Sequence, residues 1–278
     1  MPDLEKYPWS PEWSETVWDN SLDARLSALS YEVFLPEPHP PAINLALDET
    51  LLYKVAAGDR PPLLRFWEWT ERSIILGSYQ SVMNEIDARE AHVLGFGFER
   101  RISGGGAMVV EPEGAITWSL IVPEHVVDGL SFVQSFAFLD RWCVRVLRSI
   151  GIPAVYRPVN DIVSPSGKIG GAAQCRRRKT VLHHATMAYS LDNEAMFRLL
   201  RLNRPTLTDR GIRSAVKTVS SLSDFTARSR TDIRDELISG FSGMFSTAVS
   251  AYTDDERREA GRRVEEKFSS SGWKYRVP

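Results

Sequence analysis

Apolar positions along this chain alternate between two periods, and the period predicts the element. Leu47, Leu51 and Val55 fall on one face of a 3.6-residue repeat. With Asn44 as N-cap, Asp48 and Glu49 in the first turns and Gly58 at the C′ position, they predict a helix. Pro36, Pro38, Pro40 and Pro41 predict an extended lead into it. Two short apolar runs, 63–69 and 73–78, read as paired strands. A short helix over 86–94 stopping at Gly95 and a strand over 96–102 follow. Strands over 107–110 and 115–122 are joined around Pro112 and Gly114.

The clearest helix spans 131–150, where Phe132, Phe136, Leu139, Cys143, Val146, Leu147 and Ile150 form one stripe, with Cys143 read as core. Three strands are expected near 154–163, 168–174 and 180–191, the last sending His183 and His184 to opposite faces. From about residue 195 the chain reads as helical. One helix carries Ile233, Leu237, Phe241, Met244, Phe245, Ala248 and Tyr252 on a face, and the next opens on the capping-box spacing Thr253 to Glu256. These elements make an α+β plan, a mostly antiparallel sheet flanked by helices. Residues 1–35, with Trp9, Trp13 and Trp18, read as an N-terminal arm on a single domain over 36–278.

Composition narrows the function only by exclusion. The 278 residues carry a formal charge of −2, which gives no global attraction to nucleic acid or anionic membrane. No apolar run approaches a membrane span, and the acidic N-terminus does not read as a signal peptide. Two cysteines and five histidines without a close cluster argue against a disulfide framework or a structural zinc site, and fit a cytoplasmic location.

The candidate chemistry lies in two glycine-rich stretches, Arg100-Arg101-Ile102-Ser103-Gly104-Gly105-Gly106-Ala107-Met108 and Gly167-Lys168-Ile169-Gly170-Gly171. Neither a Walker loop nor a dinucleotide fingerprint is present, and the glycines fall between strands, so an anion here is gripped by a sheet-edge loop. Arg101 offers a planar fork, the amides of Gly104 to Ala107 a backbone nest, and Lys168 a mobile ammonium for a phosphate or an oxyanion. Asp161 is the nearby acid, able to hold Mg²⁺ or to orient an attacking amine; Asn160-Asp161 reads equally as a turn.

At these residues the chain resembles the lipoate–protein ligase A family. R-R-I-S-G-G-G-A-M is similar to its R-R-x-S-G-G-G-A loop, and N-D-I with G-K-I-G-G-A-A-Q to its N-D…G-K-x-x-G-x-A segment. H-H-A-T-M-A-Y is similar to its H-H-G-T strand, and N-L-A-L-D-E-T-L-L to its first helix; the likeness covers about 41–222. The resemblance implies the fold of biotin–lipoate ligases and class II aminoacyl-tRNA synthetase cores. It implies ATP-dependent conversion of lipoate or octanoate to an acyl adenylate, with Mg²⁺, then transfer to a lysine of a lipoyl-domain protein. Such acceptors are acyltransferase subunits of 2-oxoacid dehydrogenases or the glycine-cleavage carrier.

By the same resemblance Arg101, Ser103, Gly104, Gly105, Gly106, Ala107, Met108, Val109, Asn160 and Lys168 hold the adenylate. Lys168 and Asp161 are catalytic, Asp161 also being the candidate for Mg²⁺, while Gly171, Ala172, Ala173, His184 and Thr186 form the acyl pocket. Ala185 stands where the family usually has glycine, which is expected to narrow that pocket. By the same resemblance the chain is expected to lack the family's small C-terminal domain, and a separate accessory ligase subunit is the partner this implies.

The alternative is the related octanoyl transferase, which carries the acyl group from acyl carrier protein on a cysteine thioester. Cys175 is then the nucleophile, its pKa expected to be depressed by Arg176, Arg177, Arg178 and Lys179. A third alternative is a non-catalytic module binding the adenylate or a partner. The same basic run reads as a solvated loop or as a surface meeting an acidic lipoyl domain.

Overall fold

The computed structural model describes residues 20–277; Trp9, Trp13 and Trp18 lie outside the described residues. In chain order the elements begin α1 (Asn20–Ser27), β1 (Ser30–His39), α2 (Pro41–Ala57), β2 (Leu63–Trp69) and β3 (Ser73–Leu76). Next come α3 (Val82–Glu85), α4 (Ala88–Leu94), β4 (Gly97–Arg100), β5 (Met108–Val110), β6 (Ala115–Pro123) and α5 (Phe132–Ser149). They continue with β7 (Val155–Arg157), β8 (Asp161–Ser164), β9 (Gly167–Arg177), β10 (Thr180–Ala188) and α6 (Asn193–Leu199). The last are α7 (Arg230–Met244), β11 (Ser246–Ser250), α8 (Asp254–Arg263) and α9 (Ser271–Lys274).

Eight strands form one sheet in the order β11-β1-β2-β6-β10-β9-β8-β7, and β4-β3-β5 form a second, smaller one. The large sheet is antiparallel from β2 to β7, whereas β1 runs parallel to both β2 and β11. This is the expected α+β plan.

Alternation along β10 divides the core. Val181, Ala185 and Met187 pack under α5 and α7 with Phe136, Leu139, Cys143, Ile233 and Phe241. Leu182 faces the other way, toward Leu47, Leu51 and Leu52 of α2 and Ala260 of α8. Each such buried leucine or phenylalanine contributes about 1.5–3 kcal/mol. Met196 and Leu199 of α6 and Ala91 of α4 back Ile74 and Leu76 of the small sheet. The capping boxes Ser131/Gln134 and Thr253/Glu256 start α5 and α8. Gly58 and Gly95 end α2 and α4 in left-handed conformation.

Several local expectations change. α2 begins at Pro41, whose fixed φ suits a first turn, and Asn44 is inside it, its amide bonded to the His39 and Glu68 carbonyls. The runs 63–69 and 73–78 do not pair with each other: β2 lies between β1 and β6, and β3 between β4 and β5. The strands at 107–110 and 115–122 likewise join different sheets. Periodicity identifies a strand but not its neighbour. The extended lead through Pro36 and Pro38 is part of β1, which tolerates them at a register shift between Phe34 and Glu37. Strand 154–163 is two strands, β7 and β8, separated by a turn. The helix read through Tyr252 stops at Met244, and Ala248 lies on β11. Phe132 stays exposed, edge-on against the Phe136 ring. Among the described residues no helix is long and apolar enough to cross a membrane.

Candidate active site

A cavity of about 330 Å³ lies between the β2–β6–β10–β9 face and the loop entering β5. Trp67, Thr117, Ala173 and Thr186 wall the sheet side, and Gly105 to Val109 the loop side. Of the residues singled out in the sequence, Arg101, Asn160, Lys168, Gly171, Ala172 and His184 also line it. Ser103, Gly104 and Asp161 lie outside its lining. The two glycine-rich stretches, far apart in sequence, therefore meet at one site.

Lys168 is the polar end of this largely apolar space. Its Nζ is 2.9 Å from Oδ1 of Asp161, and Lys217 pairs with the Oδ2. Asp161 is buried, Lys168 about a quarter exposed. Burial pushes the Lys168 ammonium below its ordinary value; Asp161 opposes this, while Lys217 and Arg101 add to it. A register shift in the β8–β9 pairing between Ile162 and Val163 brings Asp161 opposite Gly171. The Lys168 side chain crosses Gly171, where a Cβ would stand 2.5 Å from Nζ.

Behind the triple glycine runs a buried polar chain. Nε2 of His184 is 2.6 Å from Ser103 Oγ and its Nδ1 is 3.0 Å from Asp48 Oδ2. The carboxylate of Asp48 accepts, since it also pairs with Arg65 at 2.8 Å and receives the Ser119 hydroxyl at 2.8 Å. The ring Nδ1 therefore carries the hydrogen and Nε2 accepts from Ser103. Burial keeps His184 below its ordinary pKa, with Asp48 opposing and Arg101 and His183 adding. The order is that of a serine nucleophile triad, yet Ser103 is buried and its hydroxyl accepts from Arg101 Nε at 3.0 Å. This chain positions Arg101 rather than attacking a substrate.

Arg101 corrects the reading of a free phosphate fork. Its remaining bonds go to the carbonyls of Ile75, Gly104 and Gly106 at 3.1, 2.6 and 2.8 Å, so the guanidinium holds the glycine loop in shape. Burial brings its pKa down to about 10. Gly105, at φ 86°, makes the turn that lets those carbonyls converge. The proposed amide nest is partly filled, the Ala107 amide donating to Ser214 Oγ at 2.8 Å. Asn160 donates to the Ala172 carbonyl at 2.6 Å and receives its amide at 2.9 Å, clamping the β7–β8 turn on β9. Thr186 bonds Thr117 at 3.0 Å. Ala185 does not narrow the cavity, because its methyl belongs to the core under α5.

A divalent cation does not fit Asp161. Both carboxylate oxygens face ammonium groups, and no cluster of three or more His, Cys, Asp or Glu side chains suited to a metal occurs among the described residues. Cys175 lies two residues beyond Ala173 on β9 but does not line the cavity. Its thiol is pushed up by burial, with Glu49 adding, against the opposing pull of Arg177 and Lys267; the expected depression is absent. The basic run sits at the far end of β9, about 30 Å along the strand from Lys168 at about 3.3 Å per residue. There Arg176 bonds Ser135 at 2.9 Å, Arg177 pairs with Glu49 at 3.2 Å and Arg178 covers the Tyr53 ring. His183 faces away from the cavity, 2.8 Å from Asp140 of α5.

Three site residues escaped sequence reading. Asp48, read there only as favouring a helix dipole, anchors the buried chain; an acid inside an apolar helix was its signal. Lys217 and Ser214 come from an aperiodic segment strapped over the cavity. Ser214 bonds Glu85 at 2.5 Å, and Lys168 exchanges backbone bonds with Thr218 and Ser220 at 2.9 and 2.8 Å.

The fold is an α+β domain with a largely apolar cavity that ends in a lysine–carboxylate pair. The chain belongs to the lipoyl protein ligase A/B catalytic domain family, which it matches over residues 40–242, and is an enzyme of that family. It is 26% identical to octanoyltransferase LipM of Geobacillus kaustophilus over 265 residues, 85% of this chain and 95% of that protein. It is 28% identical to LipM of Kyrpidia tusciae over 262 residues, 84% and 94% of the two. Among solved structures it resembles protein Ta0514 of T. acidophilum with bound lipoic acid, at TM-score 0.73 and 26% identity, covering 89% of this chain and all 100% of that one. It also resembles a lipoate-protein ligase A bound with ATP, at TM-score 0.74 and 25% identity, covering 90% and 100%.

Proposed function

We propose that this protein transfers an octanoyl or lipoyl group to the ε-amine of a lysine on a lipoyl-domain protein. The observation that carries this reading is the Lys168 ammonium at the polar end of an apolar cavity. The acyl chain lies against Trp67, Met108, Val109 and Ala173, with its carbonyl at Lys168. The acceptor amine attacks the carbonyl carbon, the tetrahedral oxyanion is stabilised by Lys168, and the donor's leaving group departs with the amine's proton. Asp161 keeps Lys168 protonated and receives the incoming amine. The two similar octanoyltransferases support octanoyl transfer; a carrier-protein thioester is an already activated donor, so the step we propose needs no ATP. In this chain the geometry favours a single displacement, the donor thiolate leaving as the amine attacks, over a thioester on Cys175.

A specific observation favours a second reading, ATP-dependent ligation through an acyl adenylate. No cysteine lines the cavity, while Lys168, Lys217 and Arg213 join Arg101 in its lining, a cationic surround that suits an adenylate phosphate. A bi-partite lipoate protein ligase of Thermoplasma acidophilum, described with its E2 lipoyl domain, is similar at TM-score 0.75 and 25% identity over 90% of this chain and 98% of that one. If this chain works in the same way, its partners are a lipoyl domain and a second ligase subunit. Either reaction takes place in the cytoplasm on this proposal.

Purified protein and a lipoyl domain are incubated with octanoyl–acyl carrier protein alone, or with octanoate or lipoate plus ATP and Mg²⁺, and the domain is weighed by mass spectrometry. Acylation without ATP supports direct transfer. Acylation only with ATP supports ligation. An unmodified domain in every arm, with a second subunit supplied, rejects both.

A further inference from the structure

Asp161 stands where two cavities meet. The second, of about 580 Å³, is lined by Tyr156's neighbours Val155 and Arg157, by the turn into β9, and by Val216 to Thr218. Lys168 and Lys217 line both spaces, whereas Asp161 lines the second alone. Both cavities thus share the two lysines that pair with the one Asp161 carboxylate.

These lysines are held differently. Lys168 is fixed on β9, its backbone bonded to Thr218 and Ser220 and its side chain laid over Gly171. Lys217 belongs to the irregular segment between α6 and α7, next to the exposed Val216, and over a third of its side chain is exposed. The acceptor in the proposed reaction is itself a lysine ε-amine. Lys217 thus presents the acceptor's own functional group, on the carboxylate meant to receive it, in the wall of the acyl slot.

Resting on the acyl-transfer reading, we propose that Lys217 is a built-in stand-in for the acceptor lysine. It occupies Asp161 until an acceptor enters through the second cavity and displaces it. When a loaded donor meets no acceptor, Lys217 becomes the modified residue. Its ammonium first gives one proton to the Asp161 carboxylate it is paired with; the neutral amine then attacks the acyl carbonyl carbon, the amide C–N bond forms, and the bond to the carrier thiolate or AMP breaks. The amine's proton leaves with that group, and no oxidant or reductant is involved. Lys168 is passed over because its amine is fixed as the charge facing the oxyanion.

The test uses the whole protein with octanoyl–acyl carrier protein or octanoyl-adenylate as donor, with and without a lipoyl domain, and peptide mass spectrometry of every lysine. Without the domain, Lys217 is expected to gain the octanoyl group at least about tenfold above any other lysine, since a held amine reacts far faster than a free one. Saturating domain is expected to cut that labelling by about tenfold as its own lysine is modified. Lys217→Arg is expected to remove the self-label without transferring it to Lys168. If the domain is modified when present but, in its absence, Lys217 stays unlabelled or the label falls on Lys168 or is spread over surface lysines, the stand-in is overturned and acyl transfer is left intact. A domain unmodified by either donor overturns both.

Discussion

A Cβ placed on Gly171 would stand 2.5 Å from Nζ of Lys168, and 2.8 Å from its Cε. The clashing atoms are the end of a flexible side chain, so Gly171→Ala does not have to break the sheet. It has to move the ammonium off Asp161. The expected result is a melting temperature close to that of the parent protein and acyl transfer reduced about 10²-fold, the usual cost of ångström-scale misplacement. Thermal melts and transfer rates on the same samples check it; full activity would show that the position of Lys168 is unimportant.

The charge on Lys168 has its own pH signature. Its folded pKa lies below the ordinary 10.5 because burial disfavours the ammonium. Activity that needs the cation is therefore present at neutral pH and lost on the alkaline side, starting below pH 10.5. Asp161→Asn removes the opposing carboxylate, so the alkaline limb is expected to move lower still. Lys168→Ala is expected to lose about 10²–10³ in rate at every pH, as when an oxyanion donor is removed. A pH profile of kcat/KM for the three proteins distinguishes these outcomes; an unmoved limb in the Asn variant would break the link between the pair.

Cys175→Ser addresses the thioester route. A thiol raised by burial and outside the cavity lining is a poor nucleophile. The variant is expected to keep transfer within about twofold, a change typical of a substitution away from the reacting atoms. Loss of activity together with a trapped octanoyl group on Cys175 of the parent protein would restore the covalent mechanism.

What could be read from sequence follows from how local each cause is. The opposite faces of His183 and His184 need only the two-residue repeat of a strand, and both were legible. The convergence of Lys168 with the triple glycine was legible because each stretch carries its own turn chemistry and cation. Lys217 was not, since its place over the cavity depends on Ser214 reaching Glu85 and on Val219 pairing beside Lys168, contacts between residues far apart in the chain. Arg101 misled for a different reason: two of its acceptors, Gly104 and Gly106, are close in sequence, but they and Ile75 accept through backbone carbonyls, which every residue carries and no side-chain pattern reveals. Asp48 escaped as Lys217 did, since its partner Arg65 is brought beside α2 only when β2 joins the sheet.

The buried chain from Ser103 to Asp48 predicts how stability responds to acid. His184 has a folded pKa below its ordinary 6.5, chiefly through burial, so the unfolded chain binds a proton that the folded one resists. Folding stability from keeping this ring neutral is complete above pH 6.5 and declines as pH falls below it toward the folded value. The decline per histidine is at most about 1.4 kcal/mol per pH unit. His39 is also lowered by burial, and would contribute a parallel loss. The informative quantity is therefore the difference between the parent protein and His184→Gln, which cannot take up that proton. The variant is expected to melt lower at pH 7, having lost an ordered ring, but to fall less steeply between pH 7 and 5. If both proteins lose stability in parallel across that range, His184 is not held neutral: the ring still donates from Nδ1 to Asp48, but its Nε2 donates to Ser103 instead of accepting from it.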